Sequence, residues 1–132
     1  MSLRIITPEA TLMQGVQTDA VVVPVVEGQL GILYNHAPMV STLGLGVLRY
    51  KQGAQSKKIA INGGFLELSK NQITILADSA EEADTIDIAR AKEAKARAEK
   101  RLRERHANFD RVRAEAALRR AMNRLKAAGI EE

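Results

Sequence analysis

The chain changes character at Asp84 and Thr85. Before that point short apolar runs alternate with eight of the nine glycines and all three prolines; from Thr85 to Ala128 neither residue occurs. Glycine and proline interrupt helices, whereas the alanine, arginine, lysine and glutamate that dominate the second half favour them. The first half therefore cannot build long helices and the second can build little else. The division reads as a β domain over residues 1–84 and a helical domain over residues 85–132, within a chain long enough for one substantial core.

Charge follows the same boundary. Residues 1–84 carry six Lys/Arg against eight Asp/Glu (−2), and residues 85–132 carry fourteen against eight (+6), so the basic character belongs to the tail. There is no cysteine, which excludes disulfides and thiolate chemistry. His36 and His106 are far apart and lack clustered acidic partners, so no metal site is expected. No apolar run approaches the ~20 residues that span a bilayer, and the N-terminus does not read as a signal peptide.

Leu3–Thr7 and Asp19–Val23 are β-branched runs that stop at Pro8 and Pro24. Val47–Lys51 and Lys58–Ile61 flank Gln52-Gly53-Ala54-Gln55, and Phe65–Leu68 and Ile73–Leu76 flank Ser69-Lys70-Asn71-Gln72; both sets predict hairpins. Strands at this spacing, with no helical crossover between them, predict a flattened sandwich or barrel rather than a parallel sheet. With 3% aromatic residues its core must be aliphatic, drawn from Val22, Ile32, Leu48, Ile61, Phe65, Ile73 and Ile75. Asn62-Gly63-Gly64-Phe65 lacks the Lys-Ser/Thr ending of a phosphate loop and reads as a turn or bulge. In Asn35-His36-Ala37-Pro38, a rigid loop end, His36 is assigned a capping or loop hydrogen bond rather than catalysis.

In the tail, Asp84 or Asp87 can cap a helix running to about Arg105; after an interruption at His106–Asp110, Asn108 or Asp110 can cap a second, ending near Ala128 with Gly129 as the stop. A short link predicts antiparallel packing. The available stripes are thin: Ala91, Ala94, Ala98 and Leu102 on one helix, and Ala114, Ala117, Leu118, Ala121, Leu125 and Ala128 on the other. Arg90, Arg97 and Arg101 share the spacing of Arg113, Arg120 and Arg124. Such a set reads either as a solvated basic face or as a polyphosphate site, where guanidinium groups donate charge-assisted hydrogen bonds to phosphate oxygens. Nucleic acid would meet the same charges, but interleaved aromatics and a groove-reading motif are missing.

Several motifs, in order along the whole chain, resemble the epsilon subunits of F-type ATP synthases. They are Gly28-Gln29-Leu30-Gly31-Ile32-Leu33, Asn35-His36-Ala37-Pro38, Gly63-Gly64-Phe65-Leu66-Glu67, Leu76-Ala77-Asp78-Ser79-Ala80-Glu81, Ile86-Asp87-Ile88-Ala89-Arg90-Ala91 and Arg120-Ala121-Met122-Asn123-Arg124-Leu125. The resemblance implies a flattened β-sandwich of about ten strands followed by an antiparallel two-helix hairpin, in a non-catalytic rotor subunit. It implies the gamma subunit and the c-ring as partners, with Gln29, Leu30, Gly31, Ile32, Tyr34, Asn35 and His36 at that interface, Tyr34 standing where many relatives have proline.

The resemblance further implies a tail that, extended, reaches the catalytic beta (and alpha) subunits and opposes ATP hydrolysis. Compact, it binds ATP as a regulatory ligand, with or without Mg2+, through Glu81, Asp87, Arg90, Ala91, Arg97, Arg120 and Arg124. The expected location is peripheral, on the cytoplasmic face of the bacterial plasma membrane. A structural rotor subunit without nucleotide sensing and a nucleic-acid module built on the basic hairpin are the alternatives.

Overall fold

The structure, a computed structural model, describes residues 1–104 and 108–130. It divides into two compact units, Met1–Glu82 and Ala83–Glu132.

The first unit contains seven strands: β1 (Ser2–Ile6), β2 (Thr11–Gln17), β3 (Ala20–Val25), β4 (Gly28–Leu33), β5 (Met39–Gln52), β6 (Gln55–Ser69) and β7 (Gln72–Glu82). They form one mixed sheet in the order β2-β1-β7-β6-β5-β3-β4. All neighbouring pairs are antiparallel except β1 with β7. The absence of helical crossovers constrains only strands that follow one another directly; β1 and β7 are joined through all five intervening strands, so their parallel pairing needs no helix.

The three long strands explain how one sheet behaves as a flattened sandwich. On β6 the positions that join the main core are Ile59 and Ile61, then Leu66 and Leu68, an odd set followed by an even one; Ala60 is buried as well but lies outside that core. The same change of parity occurs on β5 between Leu43 and Leu48, and on β7 between Ala77 and the partly buried Ala80. Because side chains alternate strictly along a strand, a change of parity means the inward face has turned over. Each long strand thus serves as two segments, and the seven strands supply about ten.

Glycine makes the turnover feasible where the long strands meet. Gly64 has φ +113°, and a Cβ there would collide with the Leu76 carbonyl oxygen. Gly46 lies against Pro24, where an added Cβ would stand 2.5 Å from the proline Cβ. Backbones approach this closely only without side chains between them. Asn62-Gly63-Gly64-Phe65 is accordingly a bend inside a continuous strand.

Leu3, Ile5, Val21, Val23, Ile32, Leu48, Ile59, Ile61, Leu66, Leu68, Ile73 and Ile75 are buried in a single core. Two expected core members are not among them. Val22 is half-buried because β3 turns Val21 and Val23 inward, and Phe65 is 58% exposed because the parity after Gly64 sends Leu66 and Leu68 inside.

The second unit opens with a single 3-10 turn, Ala83–Thr85, followed by α1 (Ile88–Arg103) and α2 (Asn108–Ala127). Asp87 caps α1, its Oδ1 accepting from the Arg90 N–H at 3.1 Å. At the other end, Glu104 N–H donates to the carbonyls of Lys100 and Arg101. The expected extension to Arg105 and the break at His106 and Ala107 lie outside the described residues, as does the side chain of Asn108. α2 ends in a Schellman motif: Ile130 N–H donates to Leu125 O (2.8 Å), Gly129 N–H donates to Lys126 O (3.1 Å), and Gly129 has φ +86°.

Candidate functional site

The two helices pack side by side, and Arg111 Nη1 donates to the Leu102 carbonyl at 3.4 Å, bringing the end of α1 to the start of α2. The seam is made of small residues: Ala91 and Ala98 on α1, Ala114 and Ala121 on α2, with Leu125 as its largest fully buried member. Leu102, Ala94, Ala117, Leu118 and Ala128 are half-buried beside it. Ala127, outside the expected stripes, is also buried.

Every one of those five seam residues is preceded by an arginine: Arg90 before Ala91, Arg97 before Ala98, Arg113 before Ala114, Arg120 before Ala121 and Arg124 before Leu125. In a right-handed helix the preceding residue lies about 100° round from the seam. Viewed from one end, that rotation has opposite sense in two antiparallel helices that face each other, so both sets emerge on the same side of the pair. Arg101, before Leu102, joins them. Five of these six residues are exposed and Arg124 is half-buried. The hairpin therefore presents one arginine-rich face, while the opposite flank, with Lys92, Glu99, Glu115, Met122 and Lys126 following seam positions, is mixed.

The segment at the root of α1 divides its tasks. Ile86 is buried, Asp87 is the cap, and Ala91 is fully buried at the seam, where any larger side chain would push the helices apart. Ile86 and Ala91 stand at the two positions of a hydrophobic staple flanking the cap. Arg90 is exposed, as are Asp87, Ile88 and Ala89. Glu81 lies on β7, opposite Ala60 of β6, and belongs to the other unit.

The second set of expected residues, Gln29 to His36, forms β4 and the turn after it. Gln29 and Gly31 are exposed, Leu30 is half-buried and Ile32 is buried in the core, so Ile32 supports the segment from within and offers no surface. Leu33 and Tyr34 are 64% and 66% exposed at its tip. Asn35 takes a left-handed conformation (φ +64°), and His36 N–H donates to Leu33 O at 3.1 Å. His36 Nδ1 stands 2.8 Å from the Ala37 carbonyl oxygen and donates to it, a loop hydrogen bond as the sequence predicts. Sequence reasoning gave no sign of Asn71, which bonds Asn35 from the β6–β7 turn. Among the described residues no group of acidic, histidine or cysteine side chains could hold a metal ion, and no helix is long and apolar enough to cross a membrane.

A mixed sheet folded over an aliphatic core, followed by a capped two-helix hairpin with one basic face, defines a two-domain protein of β-then-α architecture. Residues 1–83 match the β-sandwich domain of the ATP synthase delta/epsilon chain, and residues 84–129 match the long α-helix domain of the same chain. The chain belongs to that family, whose epsilon chains are non-catalytic. It is 65% identical to the ATP synthase epsilon chain of Symbiobacterium thermophilum, over 98% of this chain and 93% of the relative. It is 49% identical to that of Desulforamulus reducens, over 96% and 95%. The fold is also that of a chain in the mitochondrial ATP synthase of Euglena gracilis (OSCP/F1/c-ring), with TM-score 0.82, 22% identity and 97% and 80% of the two chains covered. A chain from the central stalk and c-ring structure of the Tetrahymena thermophila enzyme gives TM-score 0.67 at 13% identity, over 97% and 96%.

Proposed function

We propose that this chain is a rotor subunit of the central stalk whose β domain links the gamma subunit to the c-ring and whose hairpin is an ATP-controlled brake on hydrolysis. The observation that carries the second half is the single arginine face made by residues preceding the seam on both helices. Six guanidinium groups on one face repel one another and leave the alanine seam to hold the helices together. A polyphosphate reverses the sign of that repulsion and bonds both helices at once, so binding and closure are the same event.

Arg90, Arg97, Arg120 and Arg124 neutralise the phosphates, Asp87 accepts from the base or ribose, and Ala91 keeps the helices close enough to share the ligand. Each tenfold excess of ATP over its dissociation constant stabilises the closed hairpin by about 1.4 kcal/mol. When ATP is scarce, the hairpin opens and extends its basic helices toward the beta and alpha subunits. The β domain contacts gamma and the c-ring, with Gln29–His36 at the c-ring end, and the complex holds the chain on the cytoplasmic face of the membrane. Magnesium, if it accompanies the nucleotide, is coordinated by the phosphates.

Calorimetric titration of the full chain with ATP, in parallel with Arg90→Ala and Arg124→Ala, tests the reading. Saturable binding weakened at least tenfold in each variant is expected. Absence of saturable binding in the unaltered chain would leave a structural rotor subunit without nucleotide sensing, and equal, steeply salt-dependent binding of DNA would favour a nucleic-acid module.

A further inference from the structure

Among the described residues only Asn35, Lys70 and Asn71 are non-glycine residues with positive φ, and all three lie at one end of the sheet. A left-handed conformation costs an ordinary L-residue on the order of 1 kcal/mol, though asparagine tolerates it better. Such strain persists where the surroundings over-determine it.

Here two of the three residues determine each other. Asn71 Oδ1 accepts from the Asn35 backbone N–H at 2.8 Å, and Asn71 Nδ2 donates to Asn35 Oδ1 at 3.3 Å, across 36 residues of sequence. Lys70 and Asn71 are the two central residues of the β6–β7 hairpin turn, with positive φ at both. That turn type prefers glycine at its second position, so the turn by itself gives no reason for a side chain at 71. Asn71 also accepts the Ser2 N–H through its main-chain oxygen at 2.9 Å, a bond that any residue could make. What needs asparagine is the reach to Asn35.

We propose that Asn71 is a positioning residue for the Leu33–His36 tip. By fixing the Asn35 amide, it holds Leu33 and Tyr34 outward in the conformation that docks on the c-ring. The inference rests on reading Gln29–His36 as the c-ring-facing segment. A tip already ordered before docking spares the complex the entropy of ordering it, so loss of the lock weakens docking without removing a contact.

Two measurements separate this inference from the reading beneath it. Amide exchange in the full chain reports the lock, and affinity for membrane-bound ATP synthase stripped of this chain reports docking. Asn71→Gly suits the turn and removes both side-chain bonds; Asn35 exchange is expected to quicken about fivefold or more, with the unfolding midpoint little changed and docking weakened by a similar factor. Asn71→Asp keeps the acceptor for the Asn35 amide and should lie nearer the unaltered chain in both measurements. Unchanged Asn35 exchange in Asn71→Gly, or faster exchange with unchanged docking, overturns the proposal. Leu33→Ser and Tyr34→Ser test the interface reading alone: docking unaffected by both would remove that reading, whatever the exchange data show.

Discussion

The β unit and the hairpin bury their chain in opposite ways. The β unit closes on at least eleven fully buried leucine, isoleucine and valine side chains, whereas the hairpin seam is four alanines and Leu125. A buried leucine or isoleucine contributes about 1.5–3 kcal/mol, and an alanine methyl only a fraction of that. The β unit has the core of a fixed body. The hairpin has a much thinner seam, and under the proposed function its arginine face works against closure until an anion binds. The same chain therefore contains one part whose packing resists change and one whose packing, in the proposed function, would leave the outcome to a ligand.

The largest expected effect lies in the β unit. Ile75 is fully buried where β7 runs between β1 and β6, so Ile75→Ala should cost about 2–5 kcal/mol in denaturant unfolding. A loss below about 1 kcal/mol would mean that the sheet relaxes around the cavity and is no more rigid than the hairpin. Leu125→Ala should come next. It removes the one large fully buried side chain of the seam, and the helical signal should melt earlier while the β transition keeps its midpoint. If both transitions shift together, the units are coupled and the contrast between a fixed part and a movable part fails.

That contrast was partly legible in the sequence. The hairpin turns at Gln52–Gln55 and Ser69–Gln72 were readable because polar, turn-forming residues separate alternating runs, and the Gly129 stop because a left-handed helix terminus favours glycine. The passage through Gly63 and Gly64 was not. Two glycines between apolar runs signal an interruption, but whether the chain reverses or only turns its face over depends on the neighbouring strands that stay paired with it. Phe65 was misassigned for that reason, since its side depends on the parity that the bend sets. At the candidate site the spacing of the arginines was visible, but their common side appears only once the seam is known, because each is defined by the buried residue that follows it. The Asn35–Asn71 lock had no local signal at all, being a contact between two turns far apart in the chain.

The smallest effect on stability should come at Asp87, where the two roles assigned to one residue can be separated. Its carboxylate caps α1 by accepting the Arg90 N–H, and in the proposed function it also accepts from the nucleotide. Asp87→Ala removes both and should cost the hairpin about 1 kcal/mol. Asp87→Asn keeps an oxygen that caps almost as well, and losing the negative charge at the helix N-terminus costs only a few tenths of a kcal/mol at an exposed site. Its amide cannot accept as strongly from a sugar hydroxyl or an adenine amine. The hairpin of Asp87→Asn should therefore melt within a few degrees of the unaltered protein while its ATP affinity falls several-fold. If Asp87→Asn loses as much helical stability as Asp87→Ala, the charge is part of what holds the helix. If it binds ATP undiminished, Asp87 is a cap alone, and the nucleotide is held by the arginine face without it.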